Sequence, residues 1–381
     1  MNLSRIKRWI LLGHRWLGIG TCLLFFLWFL SGVVMMYVGH PKLTWQERLE
    51  HLPPLEASQS LLSPADAFQR AGIQGTVTDL RLANARAGLP VYIAQIRPDT
   101  RSAPDAPRPE PRLVALDART GALLPPTDPA TALASAQIYL EQGGLSPTSS
   151  STTRPATSPR QPSPATAQDT PGKPLYQGIT VEDAHTHSKA MDLHRPLHKV
   201  LLPDAEQTLL YISGTTGEVV RDAPRLERGF NYLGAWLHWL YLFRDTAIDW
   251  TDLIIWLSVI GTVATLSGFL SGIIRWRFSR PYRSGSRSPF APGALRWHHI
   301  LGLVFALTTF TWIFSGLMSM NPWDIFEADE SIIDARRISN PDIQPSRAIA
   351  TPQALLASTT TPVRELQWHT LLDKARVKAI R

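Results

Sequence analysis

The chain has 381 residues, 44% of them hydrophobic, a net charge of +7 and a single cysteine, Cys22. One thiol excludes an intrachain disulfide, an iron–sulfur cluster held by this chain alone and a cysteine-rich zinc site. The hydrophobic residues fall in blocks and much of the positive charge flanks them, which fits a small membrane bundle with one or two soluble domains rather than a nucleic-acid-binding surface.

Residues 1–38 read as transmembrane helix 1, because nothing is ionisable between Leu17 and Gly39. Arg5, Lys7 and Arg8 ahead of it imitate the basic start of a signal peptide. The apolar run exceeds the ~7–15 residues of such a peptide and no small-x-small site closes it, so the span is retained. Residues 39–228 form a soluble region. Strands are expected at Val77–Leu82, Pro90–Ile96, Arg112–Leu116, Lys199–Leu202 and Gln207–Ile212, and helices at Ser63–Ile73 and Asp128–Gln142. A repeat sets Ala115-Leu-Asp-Ala-Arg-Thr-Gly121 against Tyr211-Ile-Ser-Gly-Thr-Thr-Gly217, each a hairpin whose glycine supplies a positive φ. Two small α+β units follow from this, divided by the Ser/Thr/Pro-rich segment 146–174, which should be mobile together with the Pro-rich stretch 102–111.

The aromatic run 229–246 is too short to span and reads as an interfacial helix. Residues 251–275 form transmembrane helix 2, 276–296 an arginine-rich loop, and 297–320 transmembrane helix 3. The arginines of that loop and the basic N-terminus place both on the cytoplasmic side, with the long segment 40–250 and everything after 321 outside. Residues 321–381 contain Val363–Trp368 and Ala375–Ile380, which look like the opening strands and read as the start of a second unit. Either the duplication is partial or the natural chain continues into a fourth span, and repeat logic favours continuation. The fold class is an α+β membrane protein with three transmembrane helices here, four in a full repeat.

The spans carry their own repeat. His14-Arg-Trp-Leu-Gly18 leads to Trp28, Ser31-Gly32 and Met36, and His298-His-Ile-Leu-Gly302 leads to Trp312, Ser315-Gly316 and Met320, every matched position falling at the same offset along the chain. A histidine near a membrane edge is costly unless it is used, and two at one depth on neighbouring helices suit the axial positions of a haem, with Gly18 and Gly302 leaving room beside it. The alternative is a pair of interfacial histidines beside Trp9, Trp16 and Trp297, reaching water from the helix ends. His298 and His299 both compete for the second position, and the repeat alignment favours His298. His238, in the aromatic run on the other face, would serve a second haem; its partner is open, with His40 one option. His185, His187, His194 and His198 cluster in the soluble region, where His194 and His198 have a metal-compatible spacing without a completing ligand set.

His14-Arg-Trp-Leu-Gly-Ile-Gly, its copy at His298, the Trp236-Leu-His238-Trp segment, a span ending Ser271-Gly-Ile-Ile-Arg-Trp-Arg and the Thr-Gly hairpins together resemble the PepSY-associated transmembrane proteins. Within that family the chain looks most like the FoxB-like siderophore-reductase branch. The resemblance implies a bacterial inner-membrane protein with periplasmic PepSY-like units, two haem b groups, and an enzyme that reduces ferric siderophores by electron transfer. It implies His14, His298 and His238 as haem iron ligands, with His299 kept as the alternative to His298. The implied partners are a ferric siderophore, a cytoplasmic or membrane electron donor, and the lipid bilayer, with no nucleic acid. A non-redox, membrane-anchored binding module is the rival reading. A transporter is disfavoured, since the spans contain no Asp, Glu, Lys or Arg at midplane.

Overall fold

In the computed structural model, which describes residues 3–98, 110–143, 172–244, 246–326, 343–371 and 374–381, the first apolar block forms α1 (Leu3–Tyr37). At ~1.5 Å per residue its 35 residues rise well beyond the ~30 Å of a bilayer's hydrocarbon. Its outer face, including Leu23, Phe26, Leu30 and Val33, is exposed, as suits a lipid-facing surface. The chain divides into two compact units, Met1–Gly39 with Phe230–Glu330 and His40–Gly229 with Ser331–Arg381.

In the first unit the second spanning helix, Trp250–Arg275, starts where the Asp249 side chain accepts the backbone N–H groups of Thr251 and Asp252. The third apolar block is not one straight helix. It divides into Ala294–Val304 and Ala306–Ser319, bent by 67°. No glycine or proline stands at Phe305, so apolar periodicity gives no sign of the break; contacts described below fix the direction of the first half. Among the described residues two helices are long and apolar enough to cross a membrane, or three if the bent pair is one span. The aromatic run is likewise not a regular helix. A helix at Arg225–Asn231 continues as a π-turn over Tyr232–Trp236, and a left-handed Leu240 (φ 52°) ends it before a short 3-10 turn at Tyr241–Phe243. Trp250 Nε1 donates to the Trp239 carbonyl at 2.6 Å, tying this segment to the start of the second span.

In the second unit a short helix, α2 (Trp45–Glu50), is closed by a capping box between Thr44 and Glu47. It is followed by α3 (Pro64–Ala71), capped by Ser63, then β1 (Thr76–Arg86), β2 (Leu89–Arg97) and β3 (Arg112–Asp117). Helix α4 (Pro129–Gln142) is capped by Asp128 and precedes β4 (Leu175–Thr180), β5 (Leu197–Leu201), β6 (Leu209–Ser213) and β7 (Val219–Ala223). We number the helices already introduced α5 (Arg225–Asn231), α6 (Trp250–Arg275), α7 (Ala294–Val304) and α8 (Ala306–Ser319). The chain ends with α9 (Pro352–Ala357), β8 (Glu365–Leu371) and β9 (Lys374–Ile380).

Two antiparallel sheets result, one ordered β3-β2-β1-β8-β9 and the other β4-β5-β6-β7. The closing strands therefore build no sheet of their own: Leu80 of β1 faces Ala94 of β2 on one side and Trp368 of β8 on the other. One face of the first sheet buries Leu80, Leu82, Tyr92, Leu366 and Trp368 against Phe68 of α3 and Leu356 of α9; the opposite face packs Ala83, Val91 and Ile93 against Leu49 and Leu52. Helix α4 lays Ala132, Ala136, Tyr139 and Leu140 on Val200, Leu210 and Ile212 of the second sheet. Both Thr-Gly hairpins are present, with Gly121 at φ 76° and Gly217 at φ 78°, and with matching bonds from Asp117 N to Ala122 O and from Ser213 N to Glu218 O. Of the segments expected to be mobile, residues 146–171 and 102–109 lie outside the described residues.

Candidate functional site

Helix α6 positions His14. The His14 Nδ1 lies 3.3 Å from the carbonyl of Ala264, which also accepts the Ser267 hydroxyl at 2.8 Å. A carbonyl can only accept, so Nδ1 carries the proton and Nε2 presents its lone pair. Gly268 makes this approach possible: a Cβ there would stand 2.7 Å from His14 Cε1. The glycines expected to leave room, Gly18 and Gly302, have no neighbour within 4 Å of such a Cβ. Space at the site comes from α6, the helix outside the repeat.

Across from His14 lies His298 on α7. Their ring centroids are 6.3 Å apart and the ring planes differ by 17°. Two imidazoles on opposite sides of one metal, each nitrogen ~2 Å from it, would hold their ring centres about 6 Å apart. His298 makes no hydrogen bond among the described residues, and the carbonyl on His14 Nδ1 is the partner a metal-bound imidazole ordinarily has. The donor set therefore fits a metal with two axial imidazoles, of which haem iron is the case that also fills an apolar gap between helices.

The neighbouring histidine is built differently. His299 is buried, and both its ring nitrogens are engaged, Nδ1 with Ser288 Oγ at 2.8 Å and Nε2 with the Gly272 carbonyl at 3.0 Å. It has no lone pair left to offer, whereas the ring that stands beside His14 is that of His298.

His238 follows the His14 pattern at a second level of α1. Its Nδ1 lies 3.2 Å from the Trp28 carbonyl and 3.1 Å from Ser31 Oγ, and the Ser31 hydroxyl itself donates to Trp28 O. Nδ1 again holds the proton and Nε2 is left to accept or ligate. The ring lies against Trp28 at a centroid separation of 6.4 Å, and a Cβ on Gly32 would meet His238 Cε1 at 3.5 Å and Trp312 at 3.9 Å. The Ser31-Gly32 pair, visible in sequence as part of the repeat, is thus the seat of His238. In the second copy Ser315 makes the same bond to Trp312 O at 2.9 Å, with nothing within 4 Å of Gly316. The two levels, at His14 and at Ser31 of α1, are separated by a helical rise of roughly 25 Å. His40 belongs to the other unit, where its Nε2 is 3.4 Å from Arg221 Nη1.

The soluble-region histidines are held by structure. His198 contacts Tyr176 Oη and the Thr127 carbonyl, both at 2.9 Å, while His194 Nδ1 meets Ser213 Oγ at 3.1 Å. His187 pairs with Glu182, and burial pushes His185 down to about 4. Among the described residues no three His, Cys, Asp or Glu side chains converge as a metal would need.

A buried ionic cluster escapes sequence reasoning altogether. Arg81 of β1 reaches from the first sheet to Glu218 in the β6–β7 hairpin at 2.6 Å and stands 3.6 Å from Glu365 of β8, which Arg48 of α2 approaches at 2.7 Å. The one hint lay in the hairpin repeat, where Glu218 replaces the Ala122 of the first copy.

A family model described as PepSY-associated TM region matches residues 11–376. No curated protein and no solved structure matches the chain significantly.

Proposed function

The chain belongs to the PepSY-associated transmembrane family, and from that premise we propose that it is an inner-membrane oxidoreductase that passes single electrons across the bilayer to ferric siderophore. The observation that carries this reading is the facing pair His14 and His298, with Nε2 of His14 left free by the bond to Ala264 and the rings 6.3 Å apart. Held by His14 and His298, haem b would supply a one-electron carrier whose potential those imidazoles and their surroundings would set.

The protein's own part is to hold and orient. Ala264 O fixes the His14 tautomer and Gly268 admits the ring. His238 on Ser31-Gly32 offers a second ligand at the other level, which suits a second haem, because one site cannot cover ~30 Å of hydrocarbon. The arginines at 275, 277, 280, 283, 287 and 296, with no acid among them, support a cytoplasmic N-terminus and loop, three crossings and periplasmic sheets. Siderophore is the proposed acceptor because the motifs resemble that branch, and ferrous iron is held less tightly by hard oxygen chelators, so reduction promotes release.

Absorption spectra of the purified full chain test the reading. A b-type haem spectrum with reduced and oxidised forms is expected, and protein that stays colourless after haem supplementation would leave the binding-module alternative. His14→Ala and His298→Ala should remove the same spectral component, and His238→Ala a different one. Loss of different components from the first two would refute their pairing.

A further inference from the structure

His299 does no ligand chemistry, yet it is among the most firmly held side chains of the membrane unit. Its ring is 7% exposed, Trp276 and Phe290 set their edges against it with centroids at 5.7 and 5.5 Å, and Ser288 is 1% exposed. The Gly272 carbonyl can only accept, so Nε2 carries the proton and Nδ1 receives the Ser288 hydroxyl. One imidazole thereby joins three pieces: α6 through Gly272, the loop before α7 through Ser288, and α7 itself.

Helix α7 is short. It has 11 residues, and Gly293 gives its first turn no side-chain cap. The 67° bend at Phe305 separates its direction from that of α8. The other close contact also falls on Gly272, where a Cβ would stand 2.7 Å from Leu303 Cδ2, one turn beyond His299. Adjacent residues on a helix point about 100° apart, so locking the azimuth of His299 sets that of His298. The same helix α6 holds His14 one turn earlier, at Gly268. Both rings of the pair are therefore referred to two glycines, i and i+4, on a single helix.

We infer that His299 is a positioning residue: its bonds to Gly272 and Ser288 set the rotation of α7 and so the angle and distance at which His298 faces His14. The inference rests on the haem reading of that pair. It assigns the two adjacent histidines separate tasks, one to ligate and one to aim.

The test uses the full chain in detergent, with haem content, low-temperature electron paramagnetic resonance of the oxidised protein and the midpoint potential as readouts, since the resonance responds to the angle between axial imidazole planes. His299→Leu keeps the bulk and removes both hydrogen bonds; it should shift the signal of the His14/His298 component and weaken haem retention there by about 10-fold or more. His299→Gln, which can donate to Gly272 and accept from Ser288, should restore signal and retention. Monodisperse His299→Leu protein with occupancy, signal and potential like the wild type overturns the assignment. Should that variant not elute as monodisperse protein, Ser288→Ala removes one bond only, and a shifted signal supports the role while an unchanged one overturns it. Colourless wild-type protein would instead end the haem reading beneath, and is told apart by needing no variant.

Discussion

Gly268 governs how near His14 can come to α6, because the ring occupies the space a methyl would need. Gly268→Ala should push the imidazole off the Ala264 carbonyl and cost the proposed haem site at His14 most of its occupancy, whereas Gly18→Ala, with open space around it, should change nothing; haem stoichiometry of the purified variants checks both. Outside the membrane segments, two carboxylates respond to pH in opposite senses. Burial, reinforced by Glu47, pushes Asp222 up to about 7 from an ordinary 3.8. Between those values the folded chain binds more protons than the unfolded one, so the stability tied to Asp222 falls as pH rises through that window. Asp222→Asn should leave the thermal midpoint unchanged at pH 4 and raise it at pH 8. For Glu218, burial pushes the carboxyl up but Arg81 outweighs it and holds the group at about 2, below its ordinary 4.5. That contribution is complete above ~4.5 and is lost as pH falls toward 2. Arg81→Met would leave Glu218 and Glu365 buried without their shared cation, a loss of about 3–5 kcal/mol by the usual cost of breaking a buried pair, measurable by denaturant unfolding.

The elements divide by how local their causes are. Both Thr-Gly hairpins, the caps at Ser63 and Asp128 and the alternation of β1 and β2 are written in a few adjacent residues, and each is legible in the sequence. The break at Phe305 is not: the half before it docks His299 and Leu303 on Gly272, a residue of the preceding helix on the far side of the arginine-rich loop. Strand β8 shows the same limit. Its apolar pattern marks it as a strand, but only three-dimensional pairing reveals that its neighbour is β1, with the second sheet and helices α6, α7 and α8 between them in the chain. Trp368 seals that junction at 1% exposure, edge-on to Tyr92 at 5.6 Å. Trp368→Ala should cost ~3–5 kcal/mol in denaturant unfolding, the range for a large aromatic removed from a core. The histidine pair falls between these cases: the constant offset of the repeat singled out His14 and His298, while the different task of His299 depends on which carbonyl and hydroxyl lie nearby.

At the scale of the whole molecule, the hydrogen bonds between β1 and β8 count membrane crossings. Strands that share a ladder share an aqueous compartment, so the chain between them must cross the bilayer an even number of times. Helix α6 is long and apolar enough to supply one crossing. Among the described residues between β1 and β8, the remaining segment apolar enough to supply the other is α7 with α8, so the topology expected of the bent pair is one that passes through rather than turning back. Impermeant maleimide labelling of intact cells, in a Cys22→Ser background, makes this visible: Ser58→Cys and Ser358→Cys should label alike, and Ser284→Cys, in the loop between α6 and α7, should behave oppositely. Ser284→Cys and Ser358→Cys labelling alike, and opposite to Ser58→Cys, would mean that the bent pair re-enters and that the five-stranded sheet could not have closed. A sheet edge in the aqueous phase thus acts as a parity check on the membrane topology, independent of any hydropathy scale or count of arginines.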